Sequence, residues 1–397
     1  MIRDVPISRP KKKRSRAFTR PLSAGTYLMR NAGKTIPLTG VILLAVVLVA
    51  GVVSLINSIP LSIHTMYGYS RFSLGISPRG DAELTPKIFQ RLKKRSPVPI
   101  DRIIICRASS SQVHSIVGKW PFLVLGMTHA DMEYFLGRLG TKEVVGRFPI
   151  KGAPEAIVSE PVARNLGLRI GSQLLSPTDQ ENYSPQKVRV VGIAMTKEWT
   201  MLDDIDYQRQ NHFPPLDNLL IFARNAVDQN TLDAWAVKNL KGNRAMVYAY
   251  HVLEKETNDN FKTLFSILNV VIGALVLVIT IMMGMLINIY LTQRIVEFGL
   301  LQALGYTKKQ LLQRVLRETT WVLVLGWAIG IAATYGTLQI ADNVMMYPHA
   351  YALNTTDPIA LRYTIPIPIS ILVVSTLTIF LRFRKFDPVG VVERRLV

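Results

Sequence analysis

Four uncharged apolar blocks limit what this chain can fold into more than any other feature of its sequence. The blocks are residues 38–56, 265–289, 319–340 and 365–381, and none of them contains Asp, Glu, Lys or Arg. A helical apolar run of about 17–25 residues matches a bilayer hydrocarbon core of about 30 Å. One such block can be the buried core helix of a soluble protein, but four in one chain are unusual. The sequence therefore predicts a membrane protein, α-helical in the bilayer, with four transmembrane helices.

The net charge of +20 is concentrated beside these blocks. Basic residues outnumber acidic ones in 1–34, 292–318 and 382–397, whereas the much longer segment 58–262 carries only +6. Basic residues at alternate ends of the spans follow the positive-inside rule. This pattern predicts cytoplasmic termini and an external segment 58–262. It assigns the charge to membrane topology and argues against a nucleic-acid partner.

These observations predict an order of segments along the chain. The expected order is a basic cytoplasmic N-terminal segment with a short interfacial helix (1–34), transmembrane helix 1 (35–57), an extracytoplasmic α/β domain (58–262), transmembrane helix 2 (263–291), a cytoplasmic coupling element (292–317), transmembrane helix 3 (318–340), an external loop (341–362), transmembrane helix 4 (363–382) and a cytoplasmic tail (383–397).

The segment 58–262, which lies between helices 1 and 2, has the pattern of a mixed α/β domain. Strands are predicted at residues 102–107, 122–126, 156–159, 188–194, 218–222 and 245–250. Because strand patterns occur before and after a loop-rich middle, at least two subdomains are expected. Cys106 is the one cysteine, so no intrachain disulfide is possible, and its place after "RIII" predicts a buried strand thiol.

Residues 294–318 lie between the second and third blocks and read as two helices joined by a tight turn. The second transmembrane helix is expected to continue through Arg294 to Leu304, where Gly305 occupies the position of a left-handed C-cap. A capping box from Thr307 to Gln310 then starts a new helix. Such a segment can simply connect two spans, or it can be a docking element for a cytoplasmic partner that pushes on both spans.

The third block contains a G-x-x-x-G arrangement formed by Gly326 and Gly330. Small residues at this spacing allow another helix to approach closely, although glycine is also common in spans by chance. The two residues are therefore candidates for helix packing.

Three stretches of the chain resemble a known family. Residues 294–310, "RIVEFGLLQALGYTKKQ", followed by Glu318, resemble the signature of MacB/FtsX/LolC-type ABC transporter permeases. The C-terminal "FDPVGVVERR" is similar to a D-P-x-x-x-L-R ending: Asp387 and Pro388 match, whereas Val392 and Glu393 depart from Leu-Arg. Residues 144–175, together with 188–194, resemble the MacB-type periplasmic core domain.

The resemblance implies a permease subunit of the bacterial cell (inner) membrane that has no substrate channel through its spans. A separate ABC ATPase subunit would bind ATP, and its closure would move the extracytoplasmic domain, a mechanism called mechanotransmission. The permease would pair with a second copy of itself or a paralogue, and an adaptor or membrane-fusion protein could join the assembly. Carried over residue by residue, the ATPase contact comprises Glu297, Gln302, Ala303, Leu304, Gly305, Lys308, Lys309 and Gln310.

The sequence contains no motif of an enzyme or of a cofactor site. It lacks a G-x-x-x-x-G-K-[S/T] phosphate loop, and its six histidines have no metal-ligand spacing and no H-E-x-x-H. ATP is therefore expected on a partner subunit, with no cofactor in this chain. The expected function is export or extraction of a lipid, lipoprotein, peptide or drug. The alternative is an FtsX-like regulator that activates a cell-wall hydrolase or relays a signal.

Overall fold

The computed structural model describes residues 32–240 and 245–384. Residues 26–31 of the expected interfacial helix and the tail from residue 385, with its Asp387 and Pro388, lie outside the described residues.

The chain divides into two compact units. The helical unit contains the described residues up to 51, residues 271–334 and the described residues from 360 onward. The sheet unit contains residues 52–270 and 335–359.

The described residues form eleven α-helices and ten strands. In chain order the helices are α1 (Ala32–Met66), α2 (Leu84–Arg95), α3 (His129–Arg138), α4 (Glu160–Leu166), α5 (Ile205–Gln210), α6 (Ala226–Asn239), α7 (Tyr250–Gln293), α8 (Ile295–Ala303), α9 (Lys308–Ala341), α10 (Pro358–Thr364) and α11 (Pro366–Arg384). The strands are β1 (Leu74–Pro78), β2 (Ile100–Ser115), β3 (Gly118–Met127), β4 (Val144–Gly146), β5 (Glu155–Ser159), β6 (Gln173–Leu175), β7 (Val188–Ala194), β8 (Met201–Asp204), β9 (Asn218–Ala223) and β10 (Ala245–Tyr248).

Four helical segments are long and apolar enough to cross a membrane. They are Thr35–Met66, Tyr250–Gln293, Lys308–His349 and Pro358–Arg382. The 44 residues of α7 span about 66 Å at 1.5 Å per residue, well beyond a hydrocarbon core of about 30 Å. The predicted fold class is confirmed: four apolar helices, with a mixed α/β domain between the first and the second.

Polar side chains join the helices of the helical unit. The Thr280 and Ser370 hydroxyl oxygens of α7 and α11 are 2.8 Å apart, and Trp327 of α9 donates its indole N–H to the Thr364 hydroxyl over 3.1 Å. Hydrogen bonds of this kind between apolar helices hold neighbours in a fixed register.

The sheet unit is built on one ten-stranded sheet, so the expected separate subdomains are not observed. Its strand order is β10-β1-β9-β2-β3-β8-β5-β7-β4, with β6 paired to β7. The sixteen-residue β2 pairs with β9 through its first part and with β3 through its second, which joins the two halves. The strand predictions missed β1, β4, β6 and β8, of which β4 and β6 have only three residues each.

Three hydrophobic cores hold this unit together. One lies between α2, α6 and the β1–β9–β10 part of the sheet, and a second lies under α3. The third surrounds the fully buried Trp199 and Tyr207. Cys106 is buried in β2, as predicted.

The segment between the third and fourth apolar helices packs within the sheet unit. The Ser62 hydroxyl accepts from the backbone N–H of Ala352 over 3.1 Å, and the Asn57 amide donates to the Asp357 carboxylate over 2.6 Å. Asn165 of α4 donates to the backbone carbonyl of His349 over 2.6 Å. The end of α1 and one helix of the α/β domain therefore hold this segment in place.

Candidate functional site

The predicted continuation of the second transmembrane helix through Arg294 to Leu304 is wrong. Helix α7 ends at Gln293, Arg294 has non-helical dihedral angles (φ −105°, ψ 3°), and α8 starts at Ile295. The Arg294 N–H bonds to the Leu291 carbonyl, three residues back instead of four. Basic residues often follow a span, so the sequence pattern alone does not reveal that this arginine interrupts the helix.

The Arg294 side chain is buried in an ion-pair cluster, with only 1% of its surface exposed. Its Nη1 donates to Glu318 Oε2 over 2.6 Å and to the Tyr290 hydroxyl over 2.7 Å, and its Nε donates to Glu297 Oε2 over 2.9 Å. Arg314 approaches the other side of the Glu318 carboxylate, with Nε 3.1 Å from Oε1. Four charged groups therefore tie the end of α7 to α8 and α9.

Burial and ion pairing act on the Arg294 guanidinium in opposite directions. Burial lowers its pKa, but the hydrogen bond to Glu297 and the charge of Glu318 raise it, and the net shift is upward. The Arg294 guanidinium therefore stays charged in spite of its burial.

The turn between α8 and α9 is a regular helix-ending motif followed by a regular helix-starting one. Gly305 has φ +95°, and the N–H groups of Gly305 and Tyr306 bond back to the carbonyls of Gln302 and Leu301 over 2.9 and 3.1 Å. This pattern is a Schellman motif, in which glycine is favoured because it has no Cβ. The predicted capping box is present: the Thr307 N–H donates to Gln310 Oε1 over 2.9 Å, and the Gln310 N–H donates to the Thr307 hydroxyl over 3.3 Å.

Around this turn, apolar and basic side chains share an exposed surface. Leu304 is 77% exposed and Leu300, one helical turn earlier, is 59% exposed. Ala303, Lys308 and Lys309 are also exposed. We call these five residues the turn surface. Its composition suits a partner that offers an apolar groove with acidic residues at its edge.

The other predicted contact residues have different surroundings. Glu297 is half-buried and paired with Arg294, and the Gln310 side chain is used in the capping box. Gln302 is half-buried, and its Oε1 is buried with no hydrogen-bond partner among the described residues. Ala303, Leu304, Lys308 and Lys309 are thus exposed around the turn, whereas Glu297 and Gln310 have bonds within the chain.

The two glycines of the G-x-x-x-G arrangement lie where α9 approaches α1. A Cβ added at Gly326 would be 3.0 Å from the Ile42 Cβ, and one added at Gly330 would be 2.8 Å from the Val46 Cβ. Contacts below about 3 Å require a neighbour to move, so side chains at these positions would separate the two helices.

Sequence reasoning missed the partners of Arg294 and the exposed Leu300. A signal was present, because Arg294 and Glu318 have opposite charges and lie 11 residues before and 13 residues after Gly305. In a helical hairpin such positions face each other across the turn.

No group of three or more His, Cys, Asp or Glu side chains that could hold a metal ion occurs among residues 32–240 and 245–384.

Residues 269–388 match the family described as FtsX-like permease C-terminal. The structure is similar to the periplasmic region of MacB from Actinobacillus actinomycetemcomitans, with 11% identity, a TM-score of 0.28, and coverage of 47% of this chain and 92% of that one. It is also similar to the extracellular domain of the noncanonic ABC-type transporter YknZ from Gram-positive bacteria, with 12% identity, a TM-score of 0.24, and coverage of 44% and 99%. No curated protein sequence matches the chain.

The family match covers the second apolar helix from residue 269 onward, the third and fourth apolar helices, and the whole of 294–318. It confirms the resemblance drawn from the motif at Arg294–Gln310 and its Glu318. The buried ion-pair cluster and the turn surface are thus features of the matched region. This membrane protein carries an FtsX-like permease C-terminal domain.

Proposed function

We propose that this chain is the permease subunit of an ABC transporter and that a separate ATPase subunit docks on the turn surface. The observation that carries the proposal is the exposed Leu304 beside Lys308 and Lys309, within the region that matches the FtsX-like permease family. Exposed leucines clustered with charges are typical of a protein contact surface.

The position of the two lysines supports a partner with acidic residues. Lys308 and Lys309 are the first two residues of α9, where the helix dipole is positive and disfavours cations. A partner carboxylate there would interact favourably with both the lysines and the helix end. Under this proposal, the docking set is Glu297, Gln302, Ala303, Leu304, Gly305, Lys308, Lys309 and Gln310.

The ion-pair cluster gives a route for force. A displacement of the turn would act on α7 and α9 together, because Arg294 links the end of α7 to Glu318 of α9. Helix α7 is unbroken from Tyr250 to Gln293. A movement of its last residues would therefore also move its first residues, which follow β10 in the chain. Mechanotransmission of this kind would drive export or extraction of a cargo. The subunit would lie in the bacterial inner membrane with both termini cytoplasmic and would work with a second permease copy or a paralogue.

Charge reversal at the turn tests the docking. We expect Lys308→Glu/Lys309→Glu in the full-length protein to reduce retention of the proposed ATPase subunit, and the complex's ATP turnover, by about tenfold or more. Glutamates at a helix N-terminus are favourable, so the substitution should not unfold α9. The measurements are co-purification from detergent-solubilised membranes and ATP hydrolysis by the purified complex.

An adjacent lysine pair in the sheet unit provides the control. Lys93 and Lys94 are exposed at the end of α2, and Lys93→Glu/Lys94→Glu changes the net charge by the same amount. This variant should retain the ATPase. Equal retention and turnover in both double variants would contradict docking at the turn surface.

A further inference from the structure

The sheet unit contains a cavity of about 430 Å³ at the place where its three hydrophobic cores meet. Phe122, Leu219 and Leu125 belong to three different cores, and all three line the cavity. Well-packed interiors have few voids larger than a water molecule, whereas small-molecule pockets are about 300–1,000 Å³. The volume is therefore that of a ligand site.

Small side chains on two strands of the sheet leave this space open. Gly75 and Ser77 of β1 and Cys106 and Ala108 of β2 line it. Strand β9 lies between these two strands and contributes Leu220, which pairs with Gly75. Leucine or isoleucine at the small positions would fill the cavity.

The lining selects for an apolar ligand. None of the described residues that line it carries a charge. The Ser70 hydroxyl already donates to the Tyr67 carbonyl over 2.6 Å, and the Tyr67 hydroxyl accepts from the Trp120 indole over 3.1 Å. By contrast, Ser73 is 1% exposed and its Oγ has no hydrogen-bond partner among the described residues.

These properties distinguish between classes of ligand. A peptide or a sugar would bring many polar groups, more than the few polar side chains of this lining, such as Ser77 and Asn218, could pair, and the unpaired groups would carry a large desolvation cost. An acyl chain has no polar groups along its length.

The lining also adjoins two of the helices that can cross a membrane. Tyr67 directly follows Met66, the last residue of α1, and Leu253 lies in the first turn of α7. Leu123 and Tyr248 line the cavity and are 43% and 37% exposed, which marks its opening. An apolar ligand thus has an entrance, and the chain enters the lining directly from membrane-crossing helices.

We propose that this cavity binds a single acyl chain. Binding is a property of the sheet unit and goes beyond the proposed function. If the molecule bound in the cavity is also the transported cargo, lipids or lipidated molecules are the transported class. That second inference rests on the proposed function.

Photolabelling of the full-length protein in lipid nanodiscs tests the site. The probe is a phosphatidylcholine with a diazirine on one acyl chain, and labelled peptides are identified by mass spectrometry. We expect label on peptides of β2 and β3 that contain Cys106, Ala108 and Leu123. Peptides of α7 and α9 should be labelled from the bilayer in every variant and serve as an internal standard.

Filling the cavity should block this labelling. Ala108→Leu places a larger side chain in the space, and we expect it to lower the label on β2 and β3 at least fivefold. Its thermal midpoint should equal or exceed that of the unmodified protein, because filling a cavity does not remove contacts. Ser77→Leu provides a second blocking variant if Ala108→Leu fails to fold. Ala226→Leu, at the exposed start of α6, is the control and should leave the label unchanged.

Comparing the probes identifies the kind of molecule that supplies the acyl chain. Labelling by a diazirine fatty acid in place of the phospholipid would identify a free fatty acid, and labelling by the phospholipid would identify a membrane lipid; both support an acyl-chain site. A short aromatic diazirine that labels β2 and β3 when neither acyl probe does would overturn the proposal. So would unlabelled β2 and β3 beside labelled helices, or equal label in Ala108→Leu and the unmodified protein. None of these measurements involves an ATPase, so this result is separate from the test of docking.

Discussion

At the scale of single residues, the cluster around Arg294 and Glu318 is the most consequential interaction in the FtsX-like domain. Its geometry is that of a buried ion pair, since the two side chains are 1% and 2% exposed. A buried pair adds little stability compared with apolar residues, but removing one partner leaves a charge in a low-dielectric environment. Exposed pairs behave differently: Lys87 and Glu83, with 69% and 84% of their side chains exposed, contribute at most about 1 kcal/mol.

Glu318→Ala should therefore loosen the segment between α7 and α9. We expect a loss of about 3–5 kcal/mol of local stability, because Arg294 would keep its charge without its main buried partner. Hydrogen–deuterium exchange of peptides that cover 290–318 should then be faster by roughly 10²-fold or more. Glu83→Ala is the control and should change exchange in its own peptide only slightly. Exchange at 290–318 that stays unchanged in Glu318→Ala would show that the pair does not hold the segment together.

At the scale of elements, the close approach of α9 to α1 depends on two glycines, which have no Cβ. Gly326 and Gly330 lie against Ile42 and Val46. At Gly336 of the same helix, an added Cβ would have no atom within 4 Å among the described residues outside its own stretch of helix. The helix therefore contains both tightly packed and open glycines. Spacing along the sequence does not distinguish them, because only the path of the neighbouring helix decides which face is covered.

Gly330→Leu should destabilise the protein and Gly336→Leu should not. The leucine at position 330 would overlap Val46 and force α1 and α9 apart, at a cost of about 1–3 kcal/mol or more. The leucine at position 336 would gain helix propensity relative to glycine. The thermal midpoint of the purified full-length protein, followed by tryptophan fluorescence, measures both effects. Equal midpoints for the two variants would contradict close packing at Gly330.

At the scale of the whole molecule, the distribution of charge predicts which segments lie on which side of the membrane. Residues 292–318 are net basic, whereas 58–262 are nearly balanced for their length. The positive-inside rule therefore assigns these segments to opposite sides of the bilayer. The proposed docking of a cytoplasmic ATPase on the turn surface requires that assignment.

Cysteine labelling with a membrane-impermeant maleimide tests the assignment. Burial raises the pKa of the Cys106 thiol to about 12, so the native cysteine should not react. In intact bacterial cells we expect Lys93→Cys to be labelled and Lys308→Cys to be labelled only after the membrane is permeabilised. The unmodified protein is the control for background. Labelling of both introduced cysteines in intact cells would contradict the topology and, with it, the docking proposal.

The sequence by itself determined the features that depend on local pattern. Four apolar blocks specified the membrane-crossing helices because backbone hydrogen bonds in a bilayer must be made within the segment. Gly305 and the Thr307–Gln310 box specified the turn because helix caps involve neighbouring residues. The tertiary structure alone decided other pairings between distant residues: β2 with both β3 and β9, and Ser62 with Ala352. Their energies depend on which groups are brought together and removed from water, and no local pattern encodes that.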